Sequence, residues 1–281
     1  MSGSVLVVGG DGLIGQALAA EFRAREQPFV ATTRRGGAGV QLDLGNPERW
    51  QIPSSIDSAV LCAAATNLAF CRDHPEEARR INVTNTLKLA RLLSEQGVFV
   101  SFLSTNLVFN GDTPQVAPDA PLDPRTVYGE YKAEVEQELS GTVKDFAIIR
   151  LSKVFTHAMP LLINWQNEFR EHRTVEAFTD YRCAPIDLGT TARAIAEITA
   201  GRRSGIWQLS PAEDVSYADI AAEVARRLGL SPERTNGILS SEKTTLEHIP
   251  KHTTLDASRA RNELNLEFPP MPAVLDRVWD S

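Results

Sequence analysis

Short, wholly apolar runs alternate with longer amphipathic stretches through the first half of the chain. Val5–Val8 is a continuous apolar run, the pattern of a strand buried on both faces. A helical segment is expected from about Leu13 to Arg25, then strands at Phe29–Thr33, Ala59–Cys62 and Val98–Leu103. Between the last two, Pro75 to Glu95 reads as one long helix closed by Gly97. A helix near Tyr128–Leu139 and a strand near Phe146–Leu151 continue the alternation, while Asn110–Pro124, with four prolines, reads as loop. Repeated β–α–β units predict an α/β fold of the Rossmann type, a doubly wound parallel sheet with helices on both faces. Beyond Leu151 the pattern loosens. Helices are expected at Thr190–Thr199 and at Tyr217–Leu228, where Tyr217, Ile220, Val224 and Leu228 share a face, with a short strand at Ile206–Leu209. These pieces are expected to cap the C-terminal edge of the sheet. Residues 1–153 are thus read as a dinucleotide-binding core, and 154–281 mainly as a smaller substrate-binding lobe with some segments returning to the core.

Composition narrows the function. Lys and Arg total 29 against 36 Asp and Glu, a net charge of −7, which argues against a nucleic-acid binder. No apolar run reaches membrane-spanning length. The N-terminus enters a folded motif at once, so a cleaved leader is not expected. Three cysteines without metal-like pairing suit a reducing cytoplasm, and the five histidines show no ligand spacing, so no metal is expected.

The chemistry concentrates at two places. In "VLVVGGDGLIG", Gly9, Gly12 and Gly15 recur every third residue between a strand and a helix. Gly9 permits a tight turn, Gly12 lets the backbone approach a pyrophosphate, and Gly15 allows close helix–strand packing. The second strand ends in "TTRRGG", where NAD sites usually present an acid. Arg34 and Arg35 stand there instead, and guanidinium groups suit a 2′-phosphate, which favours NADPH over NADH. The second place is "TVYGEYK", with Tyr128 and Lys132 four apart on a helix, following a strand that ends in Ser104 and Thr105. A phenol can donate a proton to a carbonyl oxygen that gains charge, and a hydroxyl can orient that oxygen. A nearby ammonium is expected to lower the phenol's pKa toward the working range. Asp187 reads as a helix N-cap, Cys62 as a small buried hydrophobe, and Trp165, Trp207 and Phe178 as core.

With these motifs and with "LDL", "CAAAT", "PEEARRINVTNTLKLA", "STNLVFNG", "IIRLSKVF" and "GIWQLS", the sequence resembles an extended short-chain dehydrogenase/reductase of the dTDP-4-dehydrorhamnose reductase-like branch. The resemblance covers essentially the whole chain. It implies Thr105, Tyr128 and Lys132 as the catalytic set, with Lys132 also holding the nicotinamide ribose. Leu13 and Ile14 with the glycine turn, Asp43 and Leu44 near the adenine, and Ala63, Ala64 and Ala65 through their backbone are implied at the cofactor. Asn106, Val108, Phe109 and Lys153 are implied at the substrate. Asn106, Leu107 and Asn110 depart from the Asp, Tyr and Asp usual in this branch. Lys153 stands where an aromatic residue is common, and it could pair with a phosphate or carboxylate. Arg259 or Lys251 is a further candidate for a pyrophosphate contact. The expected activity is NADPH-dependent reduction of a keto group on a nucleotide-linked deoxysugar, by a possible homodimer. An NAD-dependent epimerase or dehydratase and a non-catalytic NADP-binding regulatory subunit are the alternatives. Asn106 and Leu107 cannot do the acid/base work that dehydration needs.

Overall fold

A computed structural model describes residues 3–34, 40–50, 52–243 and 248–279. The first half comprises β1 (Ser4–Val8), α1 (Leu13–Ala24), β2 (Phe29–Thr33), β3 (Val40–Gln41), β4 (Ile56–Leu61), α2 (Leu68–Asp73), α3 (Pro75–Arg79), α4 (Thr86–Glu95), β5 (Phe99–Thr105), α5 (Val127–Thr142) and β6 (Phe146–Leu151). The second comprises β7 (Lys153–Phe155), α6 (Pro160–Arg170), β8 (Val175–Phe178), β9 (Arg182–Cys183), β10 (Pro185–Asp187), α7 (Leu188–Ala200), β11 (Gly205–Leu209), β12 (Val215–Ser216), α8 (Tyr217–Arg227), β13 (Thr235–Ile238), α9 (Ser258–Leu264) and α10 (Met271–Trp279).

Seven strands form one parallel sheet in the order β11-β6-β5-β4-β1-β2-β3. Side chains alternate along each strand and so feed two cores. Leu6, Val100 and Phe102 meet Leu89 and Leu139 on one face, while Val5, Phe99 and Leu103 meet Leu18, Phe22 and Ile198 on the other. The near-continuous apolar runs are what a sheet covered on both sides requires.

One expectation changes, and one gains a detail. The helix at 188–200 and the strand at 205–209 do not cap the sheet. The strand pairs with β6 as an edge of the sheet, and Trp207, fully buried, fills the core beside α7. Only the pairing with β6 reveals this, because so short a strand reads the same in either place. The long helix expected over 75–95 is present, and at Arg80–Asn85 it widens into a turn of π-helix. The extra residue per turn brings Asn82 and Asn85 inward, both buried. A third apolar cluster, with Phe155, Trp165, Phe169, Val224 and Leu275, forms the smaller lobe, and Ile220 and Val224 on α8 bury the predicted face.

Candidate active site

The turn after β1 departs from ordinary backbone at Gly9, whose φ is +91°. A Cβ there would stand 2.8 Å from the Ala63 nitrogen, so only glycine fits. Thr32 of β2 stitches this turn down, its hydroxyl accepting from the Gly9 N–H at 3.1 Å and its carbonyl from the Gly10 N–H at 2.9 Å. Above Gly12 the space is open: a Cβ there would meet only the Gly9 carbonyl oxygen, at 3.4 Å. Gly15 is buried against that same carbonyl, with Ile14 partly packed into the core and Leu13 exposed.

A cavity of about 770 Å³ opens beside this turn. Gly9, Gly12, Arg34, Asp43, Leu44, Ala63, Ala64 and Ala65, all expected at a dinucleotide, line it. So do Asp11, Thr33, Leu42, Cys62 and Ile81, which the sequence reading did not select. Arg35 lies outside the described residues. The cavity combines free backbone at a helix N-terminus, small side chains and one guanidinium, a donor set that fits a dinucleotide phosphate. Its wall is pinned from the π-helical turn: Asn82 accepts from the Ala65 N–H at 2.8 Å and donates to the Ala65 carbonyl at 2.9 Å. Asn85 donates to the Leu44 carbonyl. Two asparagines inside a helix oppose helix propensity, and that mismatch is the signal that could have singled them out. Burial pushes the Cys62 thiol up to about 12, against the opposing pull of Lys132, so it is a protonated thiol at neutral pH.

Thr105 ends β5 at the C-terminal edge of the sheet, half-buried, and its hydroxyl oxygen accepts from the Leu107 N–H at 3.2 Å. Helix α5 starts beside this turn, capped by the Thr126 hydroxyl, which accepts from the Gly129 N–H at 3.1 Å. The approach is close: a Cβ on Gly129 would lie 2.2 Å from the Leu107 carbonyl oxygen. Gly129→Ala is therefore expected to push α5 from the Thr105 turn and to cost about 1–3 kcal/mol of stability, as overpacking does, measured by denaturant unfolding.

Lys132 is 4% exposed; its ammonium donates to the Leu103 carbonyl at 2.8 Å and lies 5.7 Å from the Tyr128 ring centre. Among the described residues the Tyr128 hydroxyl has no hydrogen-bond partner, and the buried Ser104 hydroxyl has none either. The expected lowering of the phenol's pKa does not occur. Burial, with a smaller push from Cys71, raises Tyr128 well above the ordinary phenol value. Burial lowers Lys132 instead, to about 8, opposed by Glu136 one turn along α5 and by Cys62 and Cys71.

Glu136 belongs to a buried network. Arg150 on β6 donates to both Glu136 carboxylate oxygens, at 2.7 and 3.1 Å, both side chains being 3% exposed. Arg150 also donates to the Pro118 carbonyl at 2.8 Å and to Gln208 at 3.2 Å, and lies 4.9 Å from the Phe109 ring centre. Gln208 carries the network on to the Val116 and Asp256 carbonyls. Val108 and Phe109 are accordingly not presented to solvent. They pack in a small cluster with Ala133 and Leu255, because the Pro-rich loop and the 253–257 segment close over them. Asn106 is half-buried in the turn after Thr105, and Lys153 is exposed at the start of β7. Arg259 is not at the cleft: it lies 3.8 Å from the Trp207 ring centre and donates to the Ile206 and Ser204 carbonyls, at the opposite end of the edge strand. Lys251 pairs with Asp112 at the surface. Asp187 caps α7, accepting from the Thr190 N–H at 2.7 Å.

A parallel sheet with a glycine-rich turn after its first strand, and Thr, Tyr and Lys at its C-terminal edge, defines an extended short-chain dehydrogenase/reductase. Within that class the chain belongs to the RmlD substrate binding domain family, whose sequence profile matches residues 3–281. It is 26% identical over 258 residues to the dTDP-4-keto-6-deoxy-D-glucose reductase of Streptomyces niveus, covering 89% of this chain and 87% of that protein. It is 24% identical over 295 residues to the methionine adenosyltransferase 2 subunit beta of Danio rerio, covering 98% and 90%. The dTDP-4-dehydrorhamnose reductase of Bacillus anthracis, solved in complex with NADP, superposes with a TM-score of 0.87 over 100% of this chain and 99% of that one, at 19% identity.

Proposed function

We propose that the protein is an NADPH-dependent reductase of a keto group on a nucleotide-linked deoxysugar, acting in the cytoplasm as a homodimer. The observation that carries this reading is that the glycine-lined cavity lies at the same edge of the sheet as an unpartnered phenol and a buried ammonium, with Tyr128 and the cavity residue Ala63 packed on one core cluster. The names of the reductase relatives agree with it.

When bound, NADPH supplies the hydride. The first-turn N–H groups of α1 at Leu13 and Ile14, reached over the bare Gly9 and Gly12 turn, would hold its diphosphate and Arg34 its 2′-phosphate, with Ala63–Ala65 against it and Lys132 at the nicotinamide ribose. Tyr128, protonated throughout the neutral range, donates its proton to the substrate oxygen as that oxygen gains charge. Thr105 already accepts from Leu107, which leaves its O–H to donate to the same oxygen. Asn106, next to Thr105 in the turn, offers no acid/base group, so the turn favours reduction over dehydration. Lys153, exposed at the rim, meets a phosphate or carboxylate of the substrate.

Turnover of a panel of nucleotide 4-keto sugars with NADPH, followed by mass spectrometry, tests the reading; no product from any keto compound overturns it. A second measurement concerns Arg34. A charge-assisted bond to the 2′-phosphate is worth about 1.5–3 kcal/mol, so Arg34→Ala weakens NADPH by at least about tenfold and hardly changes NADH. Equal losses for both cofactors would make the arginine a support of the fold.

A further inference from the structure

We infer that Asp11 narrows the preference for NADPH, its carboxylate accepting the adenosine ribose hydroxyls of an unphosphorylated dinucleotide and opposing the 2′-phosphate that Arg34 favours. The inference rests on the dinucleotide reading of the cavity just proposed.

Asp11 lines that cavity together with Arg34. Its position is held from two sides. The Thr33 hydroxyl at the end of β2 donates to Oδ2 at 2.6 Å, and the Gln16 amide donates to the Asp11 carbonyl at 2.9 Å. The end of β2 is where dinucleotide folds present an acid to the ribose diol. Here β2 ends Thr33-Arg34, without an acid, and the glycine turn delivers a carboxylate to the same place. Oδ1 has no partner among the described residues, and no Lys, Arg or His among them pairs with either oxygen. The guanidinium of Arg34 is likewise in no ion pair among the described residues, and both residues line the cavity.

Helix capping does not explain this aspartate. Residue Gly12 is the N-cap of α1, and no side chain caps that helix. A carboxylate at a turn that offers N–H groups to phosphate is electrostatically adverse to a second phosphate nearby, and useful to a ribose that carries only hydroxyls. Asp11 and Arg34 therefore pull in opposite directions on the same ribose position. Arg34 favours the 2′-phosphate; Asp11 favours its absence.

The test is equilibrium binding of NADPH and of NADH to the full chain, by nucleotide fluorescence, in the wild type, Asp11→Asn and Asp11→Ala. Asp11→Asn keeps the size and the acceptor for Thr33 while removing the charge. It should tighten NADPH and weaken NADH, moving the ratio of the two dissociation constants about tenfold or more, the size of one charge-assisted bond. Asp11→Ala, which also removes the acceptor, should weaken NADH further. A ratio that stays within twofold, or equal changes for both nucleotides, overturns the inference and makes Asp11 a brace of the turn. A wild type that binds neither nucleotide overturns the dinucleotide reading, and the inference with it.

Discussion

Replacing Tyr128 with Phe should lower kcat for ketosugar reduction by about 10²- to 10⁴-fold, the range for loss of a positioned proton donor. Cofactor affinity and the unfolding midpoint should stay close to wild type, because the phenol oxygen makes no hydrogen bond among the described residues. A loss of stability in step with activity would make the residue a packing element instead. The pH dependence separates the two ionisable partners. Burial holds Tyr128 protonated far into the alkaline range, so it sets no limb near neutrality. Lys132, lowered to about 8, is charged below that pH and neutral above it. The groups facing it are Glu136 on α5, Cys62 after β4 and Cys71 on α2, all accounted for in that shift. Turnover should therefore fall as pH rises through about 8, through lost ammonium contacts, and a limb above 10 would assign it to Tyr128.

The largest stability effect is expected at Glu136. Removing it as Glu136→Ala leaves the Arg150 guanidinium buried without its carboxylate, a change that costs about 3–5 kcal/mol. Arg150→Met should cost a comparable amount, for it strands Glu136 and the Pro118 carbonyl. Because the two residues touch, the double variant should lose less than the sum of the singles, by about 0.5–3 kcal/mol in a denaturant-unfolding cycle. Additive losses would mean that the pair contributes nothing as a pair. Glu136 also helps to keep Lys132 charged, so Glu136→Gln should move the alkaline limb of turnover downward. A merely structural glutamate would leave that limb in place.

The class of fold was legible along the chain because a sheet covered on both faces needs uninterrupted apolar strands. Phe29–Thr33 and Phe146–Leu151 stand at the residues expected. The glycine turn and the Tyr128–Lys132 spacing were legible for the same kind of reason: tight turns and helix faces are local. Distance along the chain hid the rest. Arg150 and Glu136 are fourteen residues apart, and Arg150 and Gln208 fifty-eight, so nothing in the sequence marks them as one network. Thr33 and Asp11 are joined only because β2 lies beside β1, and the last strand of the sheet was readable as a strand but not as a sheet edge. The phenol's ionisation followed the same rule. Residue types and spacing named the groups, but burial, a property of the assembled fold, decided that the phenol is desolvated and raised.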